Sequence, residues 1–223
     1  MKNHIALDHF RLEDESAHVN RRPLLIVVEG QHDIEFLGRI SRILHTQDPS
    51  MPDLRVWEKQ HRVLFIPSGG GDFRPWLTRL SILGCPEFHL YDRETLPATL
   101  IRQQWVDAVN RRQGCRAVLT NKRSLENYLH PFALFLSRGV HVNFGDFDDV
   151  AETVAHEHLR TRNAPCWDQL SRRARRRLRD RQKRWLNCEA VEHMTAELLS
   201  ESDPQNEVRS WLQLIADLGQ PHY

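Results

Sequence analysis

The chain has 223 residues, 40% of them hydrophobic and 27% charged, with a formal net charge of +1. This length and apolar content are enough for one domain with an appendage or for two small domains. No apolar run approaches the roughly 18 residues of a membrane span and the N-terminal sequence has no signal-peptide core, which excludes a membrane protein and leads us to expect a cytoplasmic one.

Cysteine spacing and charge distribution further limit the class of protein to which the chain can belong. The four cysteines are far apart and form no CxxC pair, which argues against a zinc ribbon and a disulfide framework. The small net charge hides an asymmetry, because residues 171–184 contain nine basic side chains and one acidic one. A basic segment on an otherwise acidic chain is typical of nucleic-acid binding.

Beyond a polar N-terminal arm over residues 1–22, short apolar runs alternate with stretches of helical apolar spacing. The runs predict strands over residues 24–28, 63–66, 88–91 and 116–120, and the helical spacing predicts helices over residues 33–44, 73–83 and 99–111. Leu100 and Ile101 are predicted on the buried face of the third helix. Strands and helices that alternate through short turns predict an α/β fold, with a mainly parallel sheet of about four strands and flanking helices.

From residue 136 the pattern changes to a mostly helical C-terminal region. Alternating Val140, Val142 and Phe144 predict one further strand, and a helix follows from about residue 148 to 159. From there the periodicity is helical to the end of the chain, including the arginine-rich segment and a last helix over residues 207–218. The tryptophans of this region fit either an intramolecular core or a homodimer surface: Trp167, Trp185 and Trp211.

Carboxylates follow three of the predicted strands. Glu29 ends the first strand, Asp72 ends the glycine loop after the second, Asp92 and Glu94 follow the third, and Asp33 opens the first helix. Because the carboxyl ends of parallel strands form one edge of a sheet, we expect these acids to lie close together. Two unit charges about 4 Å apart repel by about 4 kcal/mol at an effective dielectric of about 20, so we expect Mg²⁺ or Mn²⁺ to hold them.

Neighbouring groups suit a phosphate. Gly69, Gly70 and Gly71 would bring backbone N–H groups to a phosphate oxygen, and Lys122 would stabilise charge that develops in the transition state. The sequence therefore predicts metal-assisted phosphoryl transfer at the sheet edge.

Four motifs at these positions resemble the Toprim domain of topoisomerases, primases and OLD-family nucleases. They are Val-Val-Glu-Gly-Gln-His-Asp over 27–33, Ser-Gly-Gly-Gly-Asp over 68–72, Asp-Arg-Glu over 92–94, and the OLD-type element Lys-Arg-Ser-Leu-Glu-Asn-Tyr-Leu over 122–129. The resemblance covers residues 23 to about 131. It implies a Rossmann-like Toprim catalytic domain over 23–135, between the N-terminal arm and a helical region over 136–223.

The resemblance also implies roles for individual residues. Glu29 takes the position of the catalytic glutamate and metal ligand, and Asp92 and Glu94 that of the metal pair, although Glu94 replaces the family's second aspartate. Asp33 matches the acidic position four residues after the glutamate. The other matches to the OLD-type enzymes are Asp72, Lys122 and Glu126.

OLD proteins usually carry an ABC-type ATPase ahead of the Toprim domain. This chain contains no GxxxxGK[ST] motif. The resemblance therefore implies either a stand-alone Toprim protein or one that works with an ATPase partner chain.

The acidic residues at predicted helix starts and the arginine run each have a second interpretation. Asp33 and Asp72 would also serve as helix N-caps, and three acids at 146, 148 and 149 are more typical of a helix start than of a metal site. The arginine run fits either phosphate contact or packing on the chain's own acidic body or on an acidic partner. Its predicted nucleic-acid-binding residues are Arg172, Arg173, Arg175, Arg176, Arg177 and Arg179.

The sequence as a whole predicts a metal-dependent nucleic-acid phosphodiesterase, either a DNA endonuclease or a nickase, with DNA favoured over RNA. The alternative is a Toprim-like module that binds nucleic acid or regulates a separate nuclease without cleaving.

Overall fold

The computed structural model describes residues 22–69, 73–161 and 166–220. The predicted N-terminal arm, except Arg22, lies outside these residues, and so do Gly70, Gly71 and Asp72.

A four-stranded parallel sheet forms the centre of the described structure and confirms the predicted α/β fold. The strands are Leu24–Val28 (β1), Val63–Pro67 (β2), Glu87–Tyr91 (β3) and Cys115–Leu119 (β4), in the order β2-β1-β3-β4. Every residue of the two central strands is buried, which explains why they are continuous apolar runs in the sequence or nearly so. Since all four strands are parallel, their carboxyl ends share one edge.

Helices cover the sheet and continue into the C-terminal region. They are Gln31–Gln47 (α1), Leu54–Lys59 (α2), Arg74–Arg79 (α3), Ala98–Asn110 (α4), Pro131–Arg138 (α5), Val150–Thr161 (α6), Arg172–Cys188 (α7), Ala196–Ser202 (α8) and Glu207–Leu218 (α9). Short 3₁₀ turns are found at Leu80–Leu83, Leu125–Tyr128, Trp167–Gln169 and Ala190–His193. In the part of the chain that the structure covers, no helix combines the length and apolarity needed to cross a membrane.

The two faces of the sheet are buried in different cores. Leu25 and Val27 point to a smaller core with Phe73, Tyr91 and Val109. The other face, with Leu24, Ile26 and Val28, belongs to a larger core shared with α1 and the C-terminal region. The tryptophans of that region are buried within the chain, where they form part of its interior: Trp167, Trp185 and Trp211. A homodimer through another surface stays a prediction.

Two sequence predictions about local structure are wrong. Leu100 and Ile101 are 62% and 48% exposed, because the first turns of α4 begin at the carboxyl edge, beyond the part of the sheet that Val106 and Val109 cover. The segment 140–144 is no strand, because its backbone pairs with no strand of the described sheet. Its alternation is nonetheless real, since Val140 and Val142 are buried between exposed neighbours.

Candidate active site

Four acidic side chains meet at the carboxyl edge of the sheet. Glu29 follows β1, Asp92 follows β3, Asp33 lies in the first turn of α1, and Glu126 lies in the 3₁₀ turn after β4. Asp92 and Glu126 are 5% and 3% exposed. Because the charges of Glu29, Asp33 and Glu126 all act on Asp92, the structure brings these four predicted ligands together.

Burial and mutual repulsion favour the neutral form of three of these acids. Burial, then the charges of Glu126 and Glu29, raise the pKa of Asp33 to about 7. Burial and the neighbouring carboxylates raise the pKa of Asp92 well above its ordinary value. Burial also raises the pKa of Glu29, with a smaller contribution in the same direction from Glu94. Carboxyl groups with such raised pKa values at a sheet edge are typical of a functional site.

Backbone and amide groups hold the acids in place. The N–H of Gly30 donates to Asp33 Oδ2 at 2.9 Å, so Asp33 serves both the start of α1 and the acidic cluster. The N–H of Leu125 donates to Asp92 Oδ1 at 3.2 Å. The side-chain amide of Asn187, on α7, donates to Glu126 Oε1 at 2.8 Å. Elements from both halves of the chain therefore build the site.

Lys183, on α7, lies beside the four acidic side chains. Its Nζ is 3.8 Å from Glu126 Oε1. Burial favours the neutral acid at Glu126, but the charge of Lys183 and hydrogen bonds from neighbouring side chains outweigh it and lower the pKa of Glu126. The charge of Glu126, with smaller effects of Asp92 and Asp33, raises the pKa of Lys183 against the opposing effect of burial. Lys183 is therefore a permanent cation within the acidic site.

Arg102 on α4 is the second cation of the site. Its Nη1 contacts Glu29 Oε1 and also donates to the backbone carbonyl of Asp92. The charge of Arg102 lowers the pKa of Glu29, but less than burial raises it. Among the described residues, four carboxyl groups therefore share the site with two cationic side chains, and two negative charges remain uncompensated when all four acids are ionised.

Lys122 and Glu94 lie at the border of this site rather than among the four acids. Lys122 Nζ pairs with Asp146 Oδ1 at 2.7 Å and donates to the carbonyl of Asn127 at 3.1 Å. Glu94, in the left-handed backbone region at φ 56°, pairs with Arg123 at 3.6 Å. Lys183, rather than Lys122, is the lysine found beside Glu126, and the predicted role of Lys122 stays a prediction.

The glycine loop is described only at its start. Gly69 adopts φ +88°, a conformation that favours glycine, and its N–H donates to the carbonyl of Glu29 at 3.0 Å. This N–H therefore extends the β1–β2 pairing past the strands and is already used. The remaining residues of the predicted phosphate loop, Gly70, Gly71 and Asp72, lie outside the described residues.

The basic side chains of α7 divide between two faces. On the inner face, Arg175 donates to the carbonyls of Leu170 and Asp168, and Arg179 pairs with Asp149 at 2.5 Å. On the outer face the arginines are exposed: Arg172, Arg173, Arg176, Arg177, Arg181 and Arg184. The arginines of the inner face thus pack on the chain itself. Phosphate contact stays a prediction for the arginines of the outer face.

A cleft lined by the arginines shares one residue, Lys183, with the acidic site. Its volume is about 800 Å³, and it is lined by Glu152, Trp167, Arg172, Arg173, Arg175, Arg176, Arg179, Asp180 and Lys183. Lys183 is thus common to the cleft and to the acidic cluster. A polyanion bound along this cleft would reach the acids at Lys183.

The donor set suits a divalent ion chemically, since carboxylate oxygens are the preferred protein ligands of Mg²⁺ and Mn²⁺. As the side chains stand, however, no group of three or more His, Cys, Asp or Glu residues within the described ranges is arranged to hold a metal ion. Two of the four acids contact cationic side chains instead: Glu29 contacts Arg102, and Glu126 contacts Lys183.

Sequence reasoning missed Lys183 and Arg102. A signal for Lys183 was present, because Arg175, Arg179 and Lys183 recur every four residues beside the apolar stripe of α7. When the apolar stripe of a helix packs against the protein, side chains that border the stripe at this spacing also point toward the protein. Arg102 had no such signal, since Leu100 and Ile101 were the residues predicted on the buried face at the start of that helix.

Fold and site together define an α/β protein with a Rossmann-like parallel sheet and a buried acidic site at its carboxyl edge. No protein-family model, curated protein or solved structure matches the chain. The functional conclusion therefore depends on the geometry and charge of the site.

Proposed function

We propose that this protein is a metal-dependent phosphodiesterase acting on nucleic acid, most simply a DNA endonuclease or nickase of the Toprim/OLD type. The observation that carries the proposal is the charge of the site. Four carboxyl groups share the sheet edge with Lys183 and Arg102, and the two uncompensated negative charges equal the charge of one divalent cation.

The acids would share the work of holding the ion. Glu29 and Asp92 are the proposed ligands at the ends of the central strands, with Asp33 and Glu126 beside them. A bound Mg²⁺ or Mn²⁺ would polarise a phosphoryl oxygen and acidify a water molecule. The pKa of Asp33 is raised to about 7 and that of Asp92 well above its ordinary value, so metal binding would displace the protons that these carboxyl groups hold.

Lys183 would stabilise the charge that develops on the phosphoryl group in the transition state. It is supported in this role by its position between the acids and the arginine-lined cleft. The exposed arginines of α7 would contact phosphates on either side of the scissile one and bring the strand to the site.

The direct test is cleavage of supercoiled plasmid in Mg²⁺ or Mn²⁺. We expect nicking or linearisation by the wild type, and a loss of at least about 100-fold in Glu29→Gln, Asp92→Asn and Lys183→Met. Asp107→Asn is the matched control, because it removes an exposed carboxylate of α4, and it should cut like wild type. Cleavage that persists in both Glu29→Gln and Asp92→Asn would contradict the proposed site.

A second function is favoured by one specific observation. Two of the acids already contact cationic side chains, and no group of three or more His, Cys, Asp or Glu residues in the described ranges is arranged to hold a metal ion. A module that binds nucleic acid through α7 and regulates a separate nuclease would need no metal ion. Wild-type protein that binds plasmid but leaves it intact in both Mg²⁺ and Mn²⁺ would support this module over the enzyme.

A further inference from the structure

Arg102 makes an unusual contact for a buried arginine. Its side chain is 13% exposed, and its interactions in the described residues run through Nη1, to Glu29 Oε1 and to the carbonyl of Asp92. Guanidinium groups carry five N–H donors in a planar fork. Within the described residues, Nε and Nη2 of Arg102 donate no hydrogen bond, so part of the fork is left for another ligand.

A second arginine–glutamate pair shows how a structural pair is built in this sheet. Arg112 contacts both carboxylate oxygens of Glu87, with Nη1 at 2.9 Å from Oε2 and Nη2 at Oε1. That two-point geometry is the strong form of the interaction. Arg102 makes no such two-point hydrogen bond with Glu29: its closest contact runs from Nη1 to Oε1. Glu29 is the proposed metal ligand at the end of β1.

We propose that Arg102 binds a substrate phosphate, and that its contact with Glu29 is a resting position that it leaves when a divalent cation engages Glu29. This inference rests on the proposed function. The carbonyl of Asp92 would keep the guanidinium at the site after the exchange, because Nη1 already donates to it. The fork would then face the phosphate next to the acids, a geometry that favours bidentate contact.

The exchange couples two binding events. In the metal-free protein Arg102 competes with the cation for Glu29, whereas with metal bound it adds a contact to the nucleic acid. Removing Arg102 should therefore strengthen metal binding and abolish the gain that metal gives to nucleic-acid binding, two changes of opposite sign. An arginine that only supports the fold would not change the two affinities in opposite directions.

The experiment compares wild type, Arg102→Gln and the control Arg111→Gln, which removes the same charge from the exposed C-cap residue at the end of the same helix. Mn²⁺ affinity without nucleic acid is measured by electron paramagnetic resonance of free Mn²⁺. Oligonucleotide affinity is measured by fluorescence anisotropy with and without Ca²⁺. We expect Arg102→Gln to bind Mn²⁺ about tenfold more tightly and to lose the Ca²⁺-dependent gain to within about twofold, with Arg111→Gln unchanged.

Arg102→Lys covers the case in which Arg102→Gln does not fold. It keeps the charge but loses the fork, so Mn²⁺ affinity should stay within about threefold of wild type while the Ca²⁺-dependent gain falls several-fold. Weaker Mn²⁺ binding by Arg102→Gln, or an unchanged Ca²⁺-dependent gain in either variant, would overturn the inference alone. A wild type that binds no Mn²⁺ would overturn the proposed function as well, so the two failures are distinguishable.

Discussion

Single residues at the sheet edge carry the proposed chemistry, and the sequence predicted some of them better than others. Glu29 and Asp92 were predictable because each directly follows an apolar strand, a signal confined to a few neighbouring residues. Lys183 and Arg102 reach the same pocket only through the packing of α7 and α4, which depends on contacts far apart in the chain. Local patterns therefore gave the acids but not their counterions.

At the residue scale, Asp33 links the site to stability. Its pKa in the folded protein, about 7, lies above the ordinary value of 3.8, so ionisation disfavours the folded state. The stability that the neutral carboxyl provides is fully present below about pH 4 and is lost as the pH rises through about 7.

We therefore expect Asp33→Asn to raise the free energy of unfolding at pH 8, in the absence of metal, by on the order of 1 to 3 kcal/mol, and by much less at pH 4.5. Denaturant titrations at the two pH values in EDTA measure the difference. Asp107→Asn, which changes an exposed aspartate, should show no such gain. An equal gain for Asp33→Asn at both pH values would contradict the assigned repulsion.

Elements were predicted well where the apolar pattern was long or continuous. The four strands and the last helix, Glu207–Leu218, are found where the sequence indicated them, within a residue at each end. The short helix α2 and the unpaired segment 140–144 were not, since six residues give too little periodicity and since alternation reports burial rather than strand pairing. The sequence did not show which arginines of α7 face the protein and which face solvent, because this depends on how the helix packs on the rest of the chain.

At the element scale, the outer face of α7 predicts a salt effect. Four arginines of this face, Arg172, Arg173, Arg176 and Arg177, are exposed on a helix of 17 residues, about 25 Å long. Replacing all four by glutamine should weaken oligonucleotide binding and reduce the slope of log affinity against log salt by about one for each lost phosphate contact.

The matched control is a quadruple glutamine variant of exposed arginines on other elements: Arg42, Arg111, Arg116 and Arg160. It removes the same charge from the protein. We expect it to leave the salt slope within about half a unit of wild type. An equal loss of slope in both variants would mean that net charge, rather than the face of α7, governs binding.

On the scale of the whole molecule, the sheet and the C-terminal region share a core. Trp211 is 2% exposed, packs edge-on against Tyr128 at 5.1 Å between ring centroids, and belongs to the same cluster as the β1 residues Leu24 and Ile26. The domain limits proposed from the sequence stay a prediction, but this shared interior means that the two regions stabilise one another.

We expect Trp211→Ala to lower the free energy of unfolding by about 3 to 5 kcal/mol, because it leaves a large cavity in that core. Leu100→Ala, at a side chain that is 62% exposed, should change it by less than about 0.5 kcal/mol. Unfolding followed by tryptophan fluorescence and by far-ultraviolet circular dichroism should give one coincident transition in wild type. Two separate transitions would contradict the shared core.

The position of Lys183 near the end of the chain has a consequence for biosynthesis. A nascent polypeptide that has emerged through β4 and the Leu125–Tyr128 turn already carries Glu29, Asp92 and Glu126, but its lysine is still to be translated. Such an intermediate lacks both Lys183 and the part of the shared core that α7 and α9 supply. Under the proposed function, the protein would therefore become competent for cleavage only after α7 has docked.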